Sequence, residues 1–289
     1  PILAGGEVPL ELLAEAWPSG RSAGRLAHDP RPGGDDGPMG AIEPEHRPML
    51  TIGLLGGMSW VSTALYYRLV NEEVARRLGG LHSARCLLAS VDFAEIARCQ
   101  SEDRWDDAGR ILAARARELE AAGADLLLLC TNTMHKVAEP IEAAVRVPFV
   151  HIVDVAAAAV LEAGIGTVGL IGTRFTMEDG FFRDQLTRRG ITVVVPDAAG
   201  RAVVHETIFD ELVHDVFTQP SRDAFGEVIA GLQAAGAGGV ILGCTEIELL
   251  ISQSDSPIRT FALTSLHAQA AVALALGEPA TPPKREPAG

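Results

Sequence analysis

Leu126-Leu127-Leu128-Leu129-Cys130-Thr131-Asn132-Thr133-Met134-His135 is the stretch from which the rest of the chain can be read. Four consecutive leucines fit a strand covered on both faces, as in a parallel sheet layered with helices. The strand runs directly into a cysteine, and the short polar run Thr-Asn-Thr suits a turn and a helix N-cap. A thiol is therefore expected at the carboxyl end of a central strand, where ligands bind in open α/β sheets. Free N–H groups at a following helix would favour an anionic ligand and a thiolate. Val240-Ile241-Leu242-Gly243-Cys244-Thr245-Glu246 repeats the pattern in the second half.

Working outward, the two cysteine strands sit in matching surroundings. Ile52-Gly53-Leu54-Leu55-Gly56-Gly57-Met58-Ser59 reads as a strand and a glycine turn, with Ser59 placed to cap a helix over 62–70. Neither G-x-G-x-x-G nor G-K-[ST] is present, which weakens a dinucleotide or P-loop reading. A strand at 85–91, a turn at Asp92-Phe93 and a helical pattern over 105–122 lead into the Cys130 strand. A strand at 148–152 and an alanine-rich helix at 154–163 follow. The pattern then restarts at Val168-Gly169-Leu170-Ile171-Gly172-Thr173-Arg174. Gly53 precedes Cys130 by 77 residues, and Gly169 precedes Cys244 by 75. A strand at 192–196 and helices at 205–217 and 222–235 fill the second interval. A strand at 258–263 and a helix at 265–276, expected to pack back on the first half, end the pattern. Any βα chain yields some coincidences; the near-equal spacing raises this one to a duplicated α/β unit.

Bulk properties bound the function. The chain has 289 residues, 47% hydrophobic, enough for a sizeable core in one or two domains. The mean hydropathy is +0.19, yet no apolar run approaches the roughly 20 residues of a membrane span. A net charge of −14 argues against nucleic-acid or anionic-membrane partners. Four cysteines without C-x-x-C point to free thiols in a reducing cytoplasm, and no zinc-ligand spacing is visible. Residues 1–48, broken by Asp29-Pro30-Arg31-Pro32-Gly33-Gly34, read as a disordered extension, and 277–289 as a proline-rich tail.

If the halves face each other about a pseudo-twofold axis, Cys130 and Cys244 stand on opposite walls of one cleft. Two acid/base groups on opposite sides of one carbon are what racemisation needs. One thiolate takes the α-proton, and the other thiol returns a proton to the far face. N–H groups of Thr131 to Thr133 and of Thr245 could stabilise the intermediate at the carboxylate.

At these residues the sequence resembles the aspartate/glutamate racemases that work without pyridoxal phosphate. Residues 52–59, Cys-Thr-Asn-Thr-Met-His at 130–135 and Gly-Cys-Thr-Glu-Ile at 243–247 carry the resemblance. Trp60, Leu81-His82-Ser83 and Ser90-Val91-Asp92-Phe93 are similar to the branch with broad amino-acid specificity. The likeness covers about residues 50 to 276. It implies an α/β fold of two Rossmann-like parallel-sheet domains, 49–153 plus 262–276 and 154–261, with the site between them. It further implies an enzyme, usually a homodimer, acting on an amino acid as its small-molecule substrate with no cofactor. Cys130 would act on the D enantiomer and Cys244 on the L. Met58, Ser59, Thr131, Asn132, Thr133, Thr173, Thr245 and Glu246 would line the substrate. Two adjacent positions depart from the family, which carries Asp-Thr where this chain has Ala262-Leu263.

Plainer readings stand beside these. Cys86 and Cys99 fit small buried hydrophobes. His135 suits a cap or an orienting role, and His151 and His267 suit packing. Glu246 suits either a helix cap or a contact to the substrate ammonium. Lys136 and Arg174 are the nearest cations for a side-chain carboxylate. Two other functions remain open: a maleate-type cis–trans isomerase, with one Cys as nucleophile and one as acid, and a two-lobed binding protein. A redox dithiol is weaker, because its Cα atoms must approach within about 7 Å.

Overall fold

A computed structural model describes residues 49–277; the stretches 1–48 and 278–289, read above as extension and tail, lie outside the described residues. The first half runs β1 (Ile52–Gly56), α1 (Trp60–Leu78), β2 (Cys86–Ser90), α2 (Phe93–Ser101), α3 (Trp105–Ala121) and β3 (Leu126–Leu129). A 3-10 helix (Thr133–Val137), α4 (Ala138–Ala144), β4 (Phe149–Val150) and α5 (Ile152–Glu162) complete it. The second half runs β5 (Thr167–Ile171), α6 (Arg174–Glu178), α7 (Gly180–Arg188), β6 (Thr192–Val194), α8 (Ala198–Asp210) and α9 (Gln219–Ala234). It ends with β7 (Gly239–Leu242), α10 (Ile247–Leu250), β8 (Arg259–Ala262) and α11 (Leu263–Ala275).

The strands form two four-stranded sheets, ordered β2-β1-β3-β4 and β6-β5-β7-β8. Every pairing is parallel. The orders are identical position by position, so the internal repeat is real at the level of topology. In each sheet the cysteine-bearing strand is central, β3 beside β1 and β7 beside β5. All residues of β3 and β7 are buried, as the leucine run and its counterpart require.

Strand alternation sorts the core into layers. Ile52, Leu54, Leu126 and Leu128 from one sheet, with Val168, Leu170 and Ile241 from the other, share a central cluster with α5 and α11. Their strand neighbours Leu55, Leu127 and Leu129 fill an outer cluster against α3. Ile171, Val240 and Leu242 do the same against α8 and α9. Helix α11 therefore packs on α1 and α5 of the first half, and Leu50 N–H reaches back to the Ala275 carbonyl at 2.8 Å.

Element boundaries moved where capping chemistry decides them. Ser59 accepts from the Ser62 N–H as expected, but α1 continues to Leu78. Asp92, read as part of a turn, instead caps α2 by accepting from the Ala94 N–H at 3.0 Å. The helix expected at 205–217 occupies 198–210, because Asp197 caps it seven residues earlier through the Gly200 N–H, at 2.8 Å.

Candidate active site

The two cysteine strands are equivalent, but the two cysteines are not. The Cys130 N–H still donates to the Leu55 carbonyl at 2.9 Å, so Cys130 continues the β1–β3 ladder. In the second sheet Gly243 holds that place, donating to the Ile171 carbonyl at 2.7 Å. Cys244 is therefore one residue further out. A Cβ on Gly243 would lie 2.9 Å from the Ile171 oxygen and 3.0 Å from the Thr176 methyl, so the extra position admits only glycine without a shift. One residue of offset changes the face of a strand. Cys130 joins the central cluster beside Leu128, whereas Cys244 packs on the outer cluster of its own half.

The glycine turns that face these strand ends are built alike. In the first, the Gly57 N–H donates to Thr63 Oγ1 at 2.9 Å, and Gly56 leaves room for that threonine, since a Cβ there would stand 2.3 Å from its methyl. Ser59 caps α1 through Ser62 N–H; in the second turn Thr173 caps α6 through Thr176 N–H. The Ser62 hydroxyl also meets the Thr245 hydroxyl, at 3.0 Å across 183 residues of sequence. That contact brings the Cys244 motif against the first glycine turn. A second bridge between the halves joins Lys136 Nζ to Asp179 at 2.6 Å, with the ammonium 4.1 Å above the Trp105 ring. Lys136 is thus engaged in the fold, while Arg174 is exposed and offers its N–H to His205.

Cys130 is fully buried, and among the described residues its thiol has the Leu128 carbonyl as partner, at 3.8 Å. Behind it lie neutral groups whose tautomers follow from their partners. His267 Nε2 faces the Val150 carbonyl at 2.7 Å, so it carries the hydrogen and Nδ1 accepts from the Tyr66 hydroxyl at 2.9 Å. His135 Nδ1 donates to the Thr131 carbonyl at 2.8 Å, tying down the loop after Cys130 and leaving Nε2 buried without a partner among the described residues. His151 Nδ1 accepts from the Val153 N–H and caps α5. The His135 ring lies 4.9 Å from His151 and 5.5 Å from His267. Burial pushes His151 down to about 4 and His267 to about 3, and holds His135 well below the usual imidazole range. Burial, then the nearby Cys130 charge, raises the Tyr66 hydroxyl.

Cys244 is half-buried and has a charged partner. Its thiol donates to Glu246 Oε2 at 2.8 Å, and the Thr245 hydroxyl donates to the same oxygen at 2.6 Å. Glu246 therefore serves its own cysteine, and its side chain does not cap α10. Both thiols are held above the ordinary cysteine value, Cys130 by burial and Cys244 by burial followed by the Glu246 carboxylate. This runs against the expectation that N–H groups at the following helices would favour a thiolate. The helical turns that follow them are short, and burial is the leading cause of both shifts.

All four cysteines are free. Cys99 is buried in the outer cluster; Cys86 sits on edge strand β2, its thiol raised to about 11 by burial. Of the other expected lining residues, Met58 packs in the outer cluster, Thr131 and Thr245 are buried, and Ser59, Thr133 and Thr173 are partly open. Asn132 stands out. It is 7% exposed, yet among the described residues neither its amide nitrogen nor its amide oxygen has a hydrogen-bond partner. Burying such a group unpaired costs about 1–3 kcal/mol, which a bound polar ligand would offset. Tyr66, Ser62 and Glu248 escaped the sequence reading. Tyr66 lies inside an ordinary helical repeat; Glu248 at least shows as a single acid inside the apolar run Ile247-Glu248-Leu249-Leu250.

Among the described residues no helix is long and apolar enough to cross a membrane. The family model for Asp/Glu/hydantoin racemases matches residues 55–271. A Yersinia pestis protein assigned to the Asp/Glu racemases shares 47% identity, with a TM-score of 0.76, over 79% of this chain and 100% of that one. An aspartate racemase homologue from Pyrococcus horikoshii shares 31% identity, with a TM-score of 0.71, over 78% and 99% of the two chains. The Picrophilus torridus aspartate racemase, at 21% identity over 79% and 94%, has the same fold with a TM-score of 0.63.

Proposed function

The chain belongs to the Asp/Glu/hydantoin racemase family, and from that premise we propose that it is an amino-acid racemase that uses Cys130 and Cys244 in place of pyridoxal phosphate. The observation that carries this reading is the placement of two unbonded thiols at the carboxyl ends of corresponding central strands. The buried, unpartnered Asn132 amide beside Cys130 supports a polar substrate there.

In this reading the unequal thiols divide the work. Glu246 accepts the Cys244 proton, and the resulting thiolate removes the α-proton from the L face. Cys130, held as a thiol by burial, donates its proton to the opposite face. The products are the D enantiomer, a Cys244 thiol, a Cys130 thiolate and a protonated Glu246 carboxyl; passing the Glu246 proton to Cys130 by exchange with solvent resets the site. Desolvation that raises a thiol's pKa also makes its thiolate a stronger base, which a weakly acidic carbon needs. Thr131, Asn132, Thr133 and Thr245, with Met58, Ser59, Thr173 and Glu246, form the substrate surround. The residues divide as 49–153 plus 262–276 and 154–261 around one cleft. A broad substrate range accompanies the resemblance at Trp60 and Ser90-Val91-Asp92-Phe93. Exposed apolar side chains at Trp60, Leu88 and Phe93 suit a homodimer, and the thiol chemistry suits the reducing cytoplasm.

Chiral chromatography after incubation with single L-amino acids, without added cofactor, tests the proposal. Appearance of the D enantiomer from at least one acidic or neutral substrate is expected. No inversion across the full panel would overturn it.

A further inference from the structure

Helix α11 begins without a cap of its own. Its N-cap residue is Ala262, which has no side-chain acceptor, and this is one of the two positions at which the chain departs from the racemase pattern. Two consecutive N–H groups at a helix start would normally be left to water or to an N-cap oxygen. Here both are taken by Glu248, four residues beyond Cys244. Its Oε1 accepts from the Thr264 N–H at 2.5 Å, and its Oε2 accepts from the Ser265 N–H at 3.3 Å and the Ser265 hydroxyl at 3.1 Å. The carboxylate lines a cavity of about 880 Å3 together with Glu72, Arg259, Ala262 and Gln269. Burial lifts it to about 7 while the donors of Thr264 and Ser265 pull it back down.

What α11 carries makes this cap more than local. Two residues after Ser265 comes His267, clamped between the Val150 carbonyl and the Tyr66 hydroxyl. Tyr66 and Cys130 belong to the same buried core cluster. A continuous path thus runs from the loop that bears Cys244, through Glu248 and the first turn of α11, to the wall behind Cys130.

We propose that Glu248 is a positioning residue of the racemase site, replacing the missing N-cap side chain at residue 262 and holding α11, and with it His267 and Tyr66, behind Cys130. The proposal rests on the two-thiol reading above. It makes the departure at Ala262 a compensated exchange: the acid has moved from the helix it caps to the opposite half.

The test is a double-mutant cycle of Glu248→Gln and Ala262→Asp, read by thermal unfolding and by α-proton washout from each enantiomer separately. Glu248→Gln should lower the melting temperature by about 2–4 °C. It should slow washout from the D enantiomer, the Cys130 face, by about tenfold or more, with a smaller loss on the L enantiomer and little change in KM. Adding Ala262→Asp should restore most of both losses, whereas Ala262→Asp alone places a second carboxylate on the same donors and should be harmful. Additive effects with no rescue would overturn the cap. A melting temperature that couples while washout stays at wild-type rates on both faces would reduce Glu248 to a structural cap and overturn its positioning role. Wild-type protein that is inert on every amino acid would instead sink the racemase reading, and the positioning role with it, while the thermal cycle would still report the cap.

Discussion

The Cys130 and Cys244 half-sites share a sheet order, a glycine turn and a capped helix, yet they present opposite electrostatic surroundings. Cys130 ends its strand on the hydrogen-bonding ladder and shares the first half with Tyr66, the buried imidazoles of His135 and His267 and the partly buried one of His151. Cys244 is set one residue further out by Gly243 and touches a carboxylate. The one-residue offset at Gly243 thus separates a thiol whose partner among the described residues is a backbone carbonyl at 3.8 Å from one paired with an acid. Duplication alone would have made two like groups. The offset leaves one thiol facing a backbone carbonyl and sets the other against a carboxylate that accepts its hydrogen bond.

Removing either thiol should have the largest effect. Cys130→Ala and Cys244→Ala are each expected to reduce racemisation by about a thousandfold or more, because each direction needs both groups. Each variant should retain some α-proton exchange on the one enantiomer whose base survives. Racemisation near the wild-type rate in either variant would abolish the distinction between the half-sites.

Acid should break the first half-site before the second. A group whose folded pKa is depressed contributes stability that is present above its unfolded value and is lost as pH falls toward the folded one. His151 and His267 move from about 6.5 to about 4 and about 3, so their contribution is intact above pH 6.5 and erodes from there down to about pH 3. His135 adds to the same trend. Glu248 acts in the other sense. Its folded value is raised to about 7, so its penalty is full above that pH and fades as pH falls toward 4.5. Three imidazoles against one carboxyl should leave a net loss of stability by pH 4. Hydrogen exchange at pH 7.5 and 5 should lose protection in β3 and β4 before β7; simultaneous loss would contradict this ordering.

A smaller effect is expected from Glu246→Gln, which keeps the size of the Cys244 partner but removes its negative charge. Proton abstraction from the L enantiomer should slow by about 10- to 100-fold, and abstraction from the D enantiomer by less. Equal slowing of both would show that Glu246 serves the whole cleft and not its own cysteine.

Much of this was legible in the sequence because it rests on short-range signals. The leucine run and the Cys-Thr repeats located both central strands, and the near-equal spacing announced the duplicated topology. Asp92 and Asp197 were visible as acids, but their capping role competes with turn chemistry that uses the same residue types. The register offset was not legible: Gly243 reads as an ordinary strand-end glycine until the ladder shows that it occupies the place of Cys130. Nor could local patterns pair Glu248 with Thr264 and Ser265, or Tyr66 with His267, since 16 or more residues and a change of element separate them.

The most direct test of two unequal thiols serving one carbon is isotope incorporation in D2O during the first turnovers of an L substrate. The α-proton passes to Cys244 on the face it left, while Cys130, its thiol already exchanged, supplies deuterium to the far face. The first D product should therefore carry deuterium at Cα, and early recovered L substrate should carry little. Substantial protium carried from substrate into the D product would mean that one base serves both faces, and would contradict the two-thiol account.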